Sequence, residues 1–301
     1  MSLDNQSEKS IFNKLTLGTV QFGVPYGIAN KSGQINLKEA SAIVDLARSK
    51  GIHTIDTAMT YGESEETLGK IGVADFLVIT KLPAPPNGLS DFKSWVKTSV
   101  YKSLERLDIS FIEGLLLHRS DLLYSSYHEE LIFAVEELKR EGILKKFGIS
   151  IYSSDEVHLD LLKSIVDIVQ APVNIIDRTI FETGLFADLK KRNIEIHARS
   201  IFLQGLLLLT RDQRPKKFDK WDHIWSKYDH WLEIHGISRL SACLSFVKSF
   251  SDLDKIIFGV DSVDHLSEIL LNYKSELKIV FPEDLSSQDR DLIHPSNWSK
   301  F

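Results

Sequence analysis

Eight short runs of apolar and β-branched residues recur along the chain, and stretches with helical spacing of apolar positions fill most gaps between them. The runs are LTLGTV (15–20), IHTIDT (52–57), FLVITK (76–81), IEGLLLH (112–118), KKFGISI (145–151), VDIVQA (166–171), IEIHA (194–198) and KIIFGV (255–260). Several are continuously apolar, the pattern of strands buried on both faces of a parallel sheet. Between them, Leu37, Ala40, Ile43, Val44 and Ala47 share one helical face, with Asn36 placed to cap it and Gly51 past its end. Phe92, Trp95, Val96, Val100 and Leu104 repeat the pattern after Ser90, and Ser153 with Glu156 has capping-box spacing before Val157 and Leu161. Further helices are expected at about 126–141, 181–192, 238–250 and 262–274.

This alternation predicts the α/β class and a single (β/α)₈ TIM barrel. An open doubly wound sheet is the alternative, but a dinucleotide-binding version usually carries a G-x-G-x-x-G turn, and none occurs here. PAPPNG (83–88) is a short loop without a composition shift on either side, so no linker divides the chain. We therefore expect a flexible N-terminal segment over residues 1–11 and one barrel over 12–301. That barrel includes a long loop at 205–235 and a tail at 283–301. Within the loop, TRDQRPKKFDKW is basic, whereas Trp221, Ile224, Trp225, Tyr228 and Trp231 fall on one helical face, as a packing surface or a lid would. The tail is expected to fold back through Trp298.

Composition narrows the function classes. With 43% apolar and 26% charged residues, the 301-residue chain can build a sizeable core, and its net charge of -6 argues against a general binder of nucleic acid or membrane surfaces. The one cysteine, Cys243, sits in an apolar stretch and reads as a core thiol. MSLDNQSEKS has no apolar signal region, and no run approaches a membrane span, so a cytoplasmic protein is expected. No metal is expected.

In a barrel, chemistry sits where strands end. Successive ends deliver Asp56 with Tyr61 just beyond it, then Lys81, then His118. A free phenol titrates near pH 10 and exchanges protons poorly at neutrality, but a nearby ammonium lowers that value. A carboxylate can hold the ammonium, and an imidazole can orient a carbonyl oxygen. The set reads as a tyrosine tuned to protonate an oxygen that gains charge. That prepares a carbonyl for a hydride, which only a cofactor can supply. In the same motif, Ser64 is expected to cap the next helix, with Glu65 and Glu66 at its positive end.

The chain resembles the aldo-keto reductases. The family's Asp-Thr-Ala, Tyr-Gly, Ser-Glu and Leu-Gly pattern is met by Asp56, Thr57, Ala58, Tyr61, Gly62, Ser64, Glu65, Leu68 and Gly69. ITKL supplies Lys81 and LLLH supplies His118, while LTLGTVQFG, FGIS, VQAPVNIIDR, RSIFLQGLL and FGVDSVDHL follow in family order. The likeness covers roughly residues 15–275. It implies a barrel using NADP(H) or NAD(H) to interconvert a small-molecule carbonyl and its alcohol, with Tyr61 as general acid/base and Asp56, Lys81 and His118 completing a tetrad. It also implies cofactor contacts at Ser150, Gln170, Arg199, Ser200, Leu203, Gly205, Gly259, Asp261, Ser262 and His265.

Three positions depart from the family pattern. Ile151 stands where an asparagine is common, and Arg199 where an aromatic ring often stacks on the nicotinamide. Arg199 would add positive charge beside the hydride donor. Asp261 stands where NADPH-preferring members commonly carry a cation. A carboxylate about 4 Å from a phosphate costs about 1 kcal/mol in water-like screening. His265, Arg211, Arg214, Lys216 or Lys217 are other cations for that phosphate.

For the substrate, strand-end residues Phe22, Tyr26, Met59 and Arg119 and the 203–221 loop are the candidates. Arg119 and Arg199 would favour an anion unless they pair with acids such as Asp121 or Glu195. Two other readings stay open: a cofactor-binding regulatory barrel, and a lyase or isomerase with Lys81 as a Schiff-base amine.

Overall fold

A computed structural model describes residues 11–162, 165–277 and 279–301. The expected flexible segment 1–11 lies outside these residues except for Ile11. Eight parallel strands close into a barrel in chain order: β1 (Leu15–Gly18), β2 (Thr54–Asp56), β3 (Leu77–Leu82), β4 (Ile112–Leu117), β5 (Leu144–Ser150), β6 (Ile168–Pro172), β7 (Glu195–Arg199) and β8 (Lys255–Gly259). Closure comes from β1 beside β8, with Leu15 opposite Ile256 and Gly18 opposite Gly259. Every expected strand is present, with ends moved by one or two residues where a run continues into a loop.

The barrel is filled. Ile79, Leu116 and Ile168 form a small inner cluster, separate from the larger apolar shell between strands and helices. Gly148 makes room there, because a Cβ at that position would lie 2.2 Å from the Ile168 carbonyl oxygen.

The outer helices include α1 (Leu37–Ser49), α2 (Ser64–Ile71), α3 (Phe92–Leu107), α4 (His128–Arg140), α5 (Leu185–Lys191), α6 (Asp222–His235), α7 (Arg239–Lys248) and α8 (Val263–Tyr273). Asn36 caps α1 by accepting from the Glu39 N–H at 3.0 Å. Three local expectations change. Asp91, rather than Ser90, caps α3 by accepting from Ser94 N–H. The Ser153–Glu156 capping box forms, but it encloses one 3₁₀ turn (Ser154–Glu156) and a short helical segment follows at Leu159–Leu162. Leu161 is 43% exposed there, since so short an element does not present the apolar face that the spacing suggested.

Ser64 opens α2 but does not cap it. Its hydroxyl donates to the Thr19 carbonyl at 2.8 Å, tying β1's loop to the motif. Glu65 is not a solvated charge at the helix start. It is buried, accepts from Thr80 and Ser103 at 2.6 Å each, and pairs with Arg106. The long 205–235 segment is packed: its aromatic stripe is buried, and Trp221 donates to Asp289 of the tail at 2.8 Å. Trp298 is buried against Phe218, ring centroids 4.9 Å apart. Cys243 is buried too, and its thiol is pushed up to about 12 by that burial. Among the described residues, no helix is long and apolar enough to cross a membrane.

Candidate active site

The end of β2 carries Asp56, and its carboxylate joins three strands. Oδ1 accepts from Lys81 Nζ on β3 at 2.5 Å, and Oδ2 accepts from Gln170 Nε2 on β6 at 2.7 Å. Lys81 donates a second bond to the Thr57 carbonyl at 2.9 Å. Both charges are buried, with Lys81 only 1% exposed.

Tyr61 hangs over this pair on a turn built by two glycines. Gly23 lies so close that a Cβ there would be 1.7 Å from the Tyr61 carbonyl oxygen. Gly62, at φ +54, packs against the Gly23 carbonyl from the other side. The Tyr61 ring meets His118 edge-on, centroids 5.8 Å apart at 84°. Lys81 Nζ lies 5.1 Å from the Tyr61 ring centroid. His118 Nδ1 is hydrogen-bonded to the Thr60 hydroxyl at 3.0 Å, so Nε2 is left for the cavity.

The electrostatics correct one expectation. The phenol of Tyr61 is raised above its ordinary value, first by burial and then by the negative charge of Asp56, with Arg199 opposing. Lys81 does not pull it down because Asp56, in direct contact, cancels the ammonium as seen from the phenol. Burial lowers Lys81 itself, and Asp56 opposes that shift. His118 is lowered to about 4, by burial and then by Lys81 and Arg199, so its imidazole is neutral near pH 7. The resting site is therefore a protonated phenol beside a neutral imidazole over a closed ion pair.

These four residues line one cavity of about 690 Å³, within the usual range for ligand sites. Ser150, Gln170, Arg199, Ser200, Gly205, Gly259, Asp261, His265 and Tyr26 line it as well. Five candidates stand elsewhere. Phe22 and Leu203 are fully buried in the apolar shell. Ser262 is taken up as the cap of α8, accepting from His265 N–H at 3.2 Å. Arg119 lines an adjoining groove and pairs with Asp121 at 3.2 Å. That groove, which also holds Thr60, Ser120 and Glu156, shares His118 and Tyr152 with the main cavity. Met59 packs partly buried against the core.

The expected pairing of Arg199 with Glu195 does not occur, because the two lie at opposite ends of β7. Glu195 binds Lys146 at 2.8 Å, at the far end of the barrel. Arg199 donates to the Ile151 carbonyl at 2.7 Å and to Ser200 Oγ at 3.0 Å, with its guanidinium 4.6 Å from the Tyr152 ring centroid.

Sequence reasoning missed Arg239. Ser238, Arg239 and Leu240 line the cavity, so the N-terminus of α7 faces it, a feature suited to phosphate, while the Arg239 guanidinium is paired with Asp229 at 2.8 Å. Of the cations named for that phosphate, His265 lines the cavity, and the others are engaged elsewhere or absent from the lining. Arg214 lies 4.6 Å from the Trp225 ring centroid, and Lys217 donates to the Trp298 carbonyl. Arg211 and Lys216 do not line the cavity. The Ser-Arg step after Gly236 was the available signal. Gln21 was missed too; it lines the cavity, and its Oε1 is buried without a hydrogen-bond partner. Asn30, also in the wall, donates to Asp261 Oδ1 at 3.3 Å.

Residues 14–285 match the sequence model of the aldo/keto reductase family. D-arabinose 1-dehydrogenase of Saccharomyces cerevisiae is 30% identical over 279 residues, spanning 83% of this chain and 81% of that protein. The oxidoreductase sirO of Leptosphaeria maculans is 28% identical over 290 residues, 85% and 87% of the respective chains. Among solved structures, an aldo-keto reductase from Bacillus halodurans in its holo form matches with a TM-score of 0.71 at 21% identity, covering 88% of each chain. That likeness speaks for the fold.

Proposed function

The chain belongs to the aldo/keto reductase family, and on that premise we propose that it interconverts a small or sugar-like carbonyl and its alcohol, using NADP(H) or NAD(H). The observation that carries this reading is Tyr61 held edge-on to His118 over the Asp56–Lys81 pair, on the wall of a ligand-sized cavity.

The cavity suits a dinucleotide. The unpartnered Gln21 Oε1 asks for a donor, the start of α7 suits phosphates, and Ser150 lies beside the tetrad to hold an amide. The cofactor, when bound, supplies the hydride. Tyr61 gives its proton to the carbonyl oxygen as charge builds there. His118 offers Nε2 to hold that oxygen in line. Gln170 holds the Asp56 carboxylate, and Asp56 fixes the Lys81 ammonium below the Tyr61 ring. Lys81 is already bonded to Asp56 and Thr57, so its amine is not presented as a Schiff-base nucleophile. A sugar-like substrate is supported by the relative named for D-arabinose. The adjoining groove, with Arg119, Ser120, Asp121 and Glu156, suits a hydroxyl-bearing molecule.

The test is separate titration with NADPH and NADH, followed by turnover on aldehydes, ketones and aldoses. Tyr61→Phe is expected to bind cofactor within a few fold of wild type and to lose about 10²–10⁴ in turnover. Full turnover by Tyr61→Phe would end the reading. Tight cofactor binding without turnover on any carbonyl would favour a regulatory barrel.

A further inference from the structure

Arg199 brings a fixed positive charge to the cavity wall that no carboxylate balances. Its bonds go to a carbonyl and a hydroxyl, and among the described residues no acid lies within ion-pairing distance. The other charged groups beside it cancel or are neutral. Asp56 and Lys81 neutralise each other at 2.5 Å, while Tyr61 and His118 rest uncharged. Asp177, which feels Arg199, is fully buried, bonded to Thr179 and outside the cavity wall. Arg199 also has little freedom to leave, with its guanidinium against the Tyr152 ring and tied to the Ile151 backbone.

Carbonyl reduction consumes a neutral dihydronicotinamide and leaves a positively charged pyridinium. The carbonyl carbon takes the hydride with its electron pair, the oxygen takes the proton of Tyr61, and one positive charge stays behind. A hydride donor has to reach the carbon whose oxygen sits at Tyr61, and Arg199 lines that same cavity.

Resting on the function proposed above, we infer that Arg199 makes the cavity discriminate between the two redox forms of the cofactor, holding the reduced form more tightly and so raising the potential of the bound couple, which biases the bound equilibrium towards alcohol oxidation. At an effective dielectric of about 20, two like charges several ångströms apart change a binding ratio by about tenfold or more. Tenfold in that ratio moves the potential of the bound two-electron couple by about 30 mV. Arg199 would act as a specificity-determining residue, with the proton still coming from Tyr61.

The experiment is calorimetric titration of wild type, Arg199→Met, Arg199→Gln and Arg199→Lys with NADPH, NADP⁺, NADH and NAD⁺, with melting curves to establish folding. The quantity read is Kd of the oxidised form over Kd of the reduced form. It is expected to fall by about tenfold or more in both neutral variants and to stay within about threefold of wild type in Arg199→Lys. Removal of a merely structural contact would weaken both forms together. An unchanged ratio in the neutral variants, or an equal fall in Arg199→Lys, overturns the inference and leaves the reductase reading standing. Should Arg199→Met not fold, Arg199→Gln decides. Wild type binding none of the four overturns the reading on which the inference rests.

Discussion

Gln170 Nε2 donates to Asp56 Oδ2 at 2.7 Å, joining β6 to β2 across the mouth of the barrel. The family likeness assigns Gln170 to the nicotinamide amide, but its own amide nitrogen is already engaged on the carboxylate that grips Lys81. Its Oε1 faces Ser150 Oγ at 3.5 Å. Gln170 is thus placed as a positioning residue for the Asp56–Lys81 pair. Gln170→Met, which keeps the volume and loses a hydrogen bond to a charged group, is expected to lower stability by about 1.5–3 kcal/mol. Turnover should fall more than cofactor affinity. Denaturant melts and parallel cofactor titrations separate the two effects. A variant that loses affinity alone would return Gln170 to the cofactor.

The pH behaviour follows from His118 and Tyr61. Since His118 is lowered to about 4 and the phenol is raised, kcat/KM for reduction should be flat between about pH 5 and pH 9. Stability should respond instead. The unfolded chain binds this proton near 6.5 and the folded chain near 4. The contribution is therefore whole above about pH 6.5, is lost progressively as pH falls from there through about 4, and amounts to about 3 kcal/mol. Denaturation at pH 7 and about pH 4.5 measures it, and His118→Gln should remove most of that difference. A bell-shaped profile centred near neutrality would contradict this electrostatic picture.

Asp261 is the residue to change for cofactor choice. Its carboxyl is raised by burial and holds a bond from Asn30. Asp261→Asn keeps the shape and removes a negative charge, so NADPH should gain about fivefold over NADH if the 2′-phosphate comes near. The measurement is the ratio of the two dissociation constants. An unchanged ratio would put that phosphate elsewhere in the cavity.

The barrel was legible because short continuous apolar runs and period-3.6 patterns are local, and a barrel strand's end tells where its last side chain goes. Asp56, Lys81 and His118 could be read from strand ends alone, and Tyr61 from the turn between Asp56 and α2. The partners of Glu65 were not legible in this way. Thr80, Ser103 and Arg106 converge on it from 15, 38 and 41 residues away. A glutamate at a helix start gives the same local signal whether it is solvated or buried. Arg239 was hidden for a related reason: helix periodicity identifies the start of α7 without telling which groove that start faces. The charge of the phenol depended on the spacing of Lys81 and Asp56, which no one-dimensional pattern contains.

Gly23 sets the position of Tyr61 through space alone. Its φ of -117° suits any residue, so backbone strain is not the reason for glycine here. A Cβ would lie 1.7 Å from the Tyr61 carbonyl oxygen and 2.5 Å from the Ser64 nitrogen, both backbone atoms that no rotamer change can clear. The β1 loop or the Tyr61 turn must move. Ser64's bond to Thr19 resists their separation, so the shift passes into the phenol's position. Gly23→Ala should cost about 1–3 kcal/mol in stability, as overpacking does. Its effect on turnover should be larger, because a displacement of about 1 Å at a reacting group costs about 10²-fold. Gly142→Ala is the matched control: Gly142 has φ +74 with nothing within 4 Å of an added Cβ. It pays only the left-handed penalty of about 1–2 kcal/mol and should leave turnover unchanged. If Gly23→Ala loses stability but keeps full kcat, the turn tolerates displacement and Tyr61 is held by its ring contacts with His118 instead.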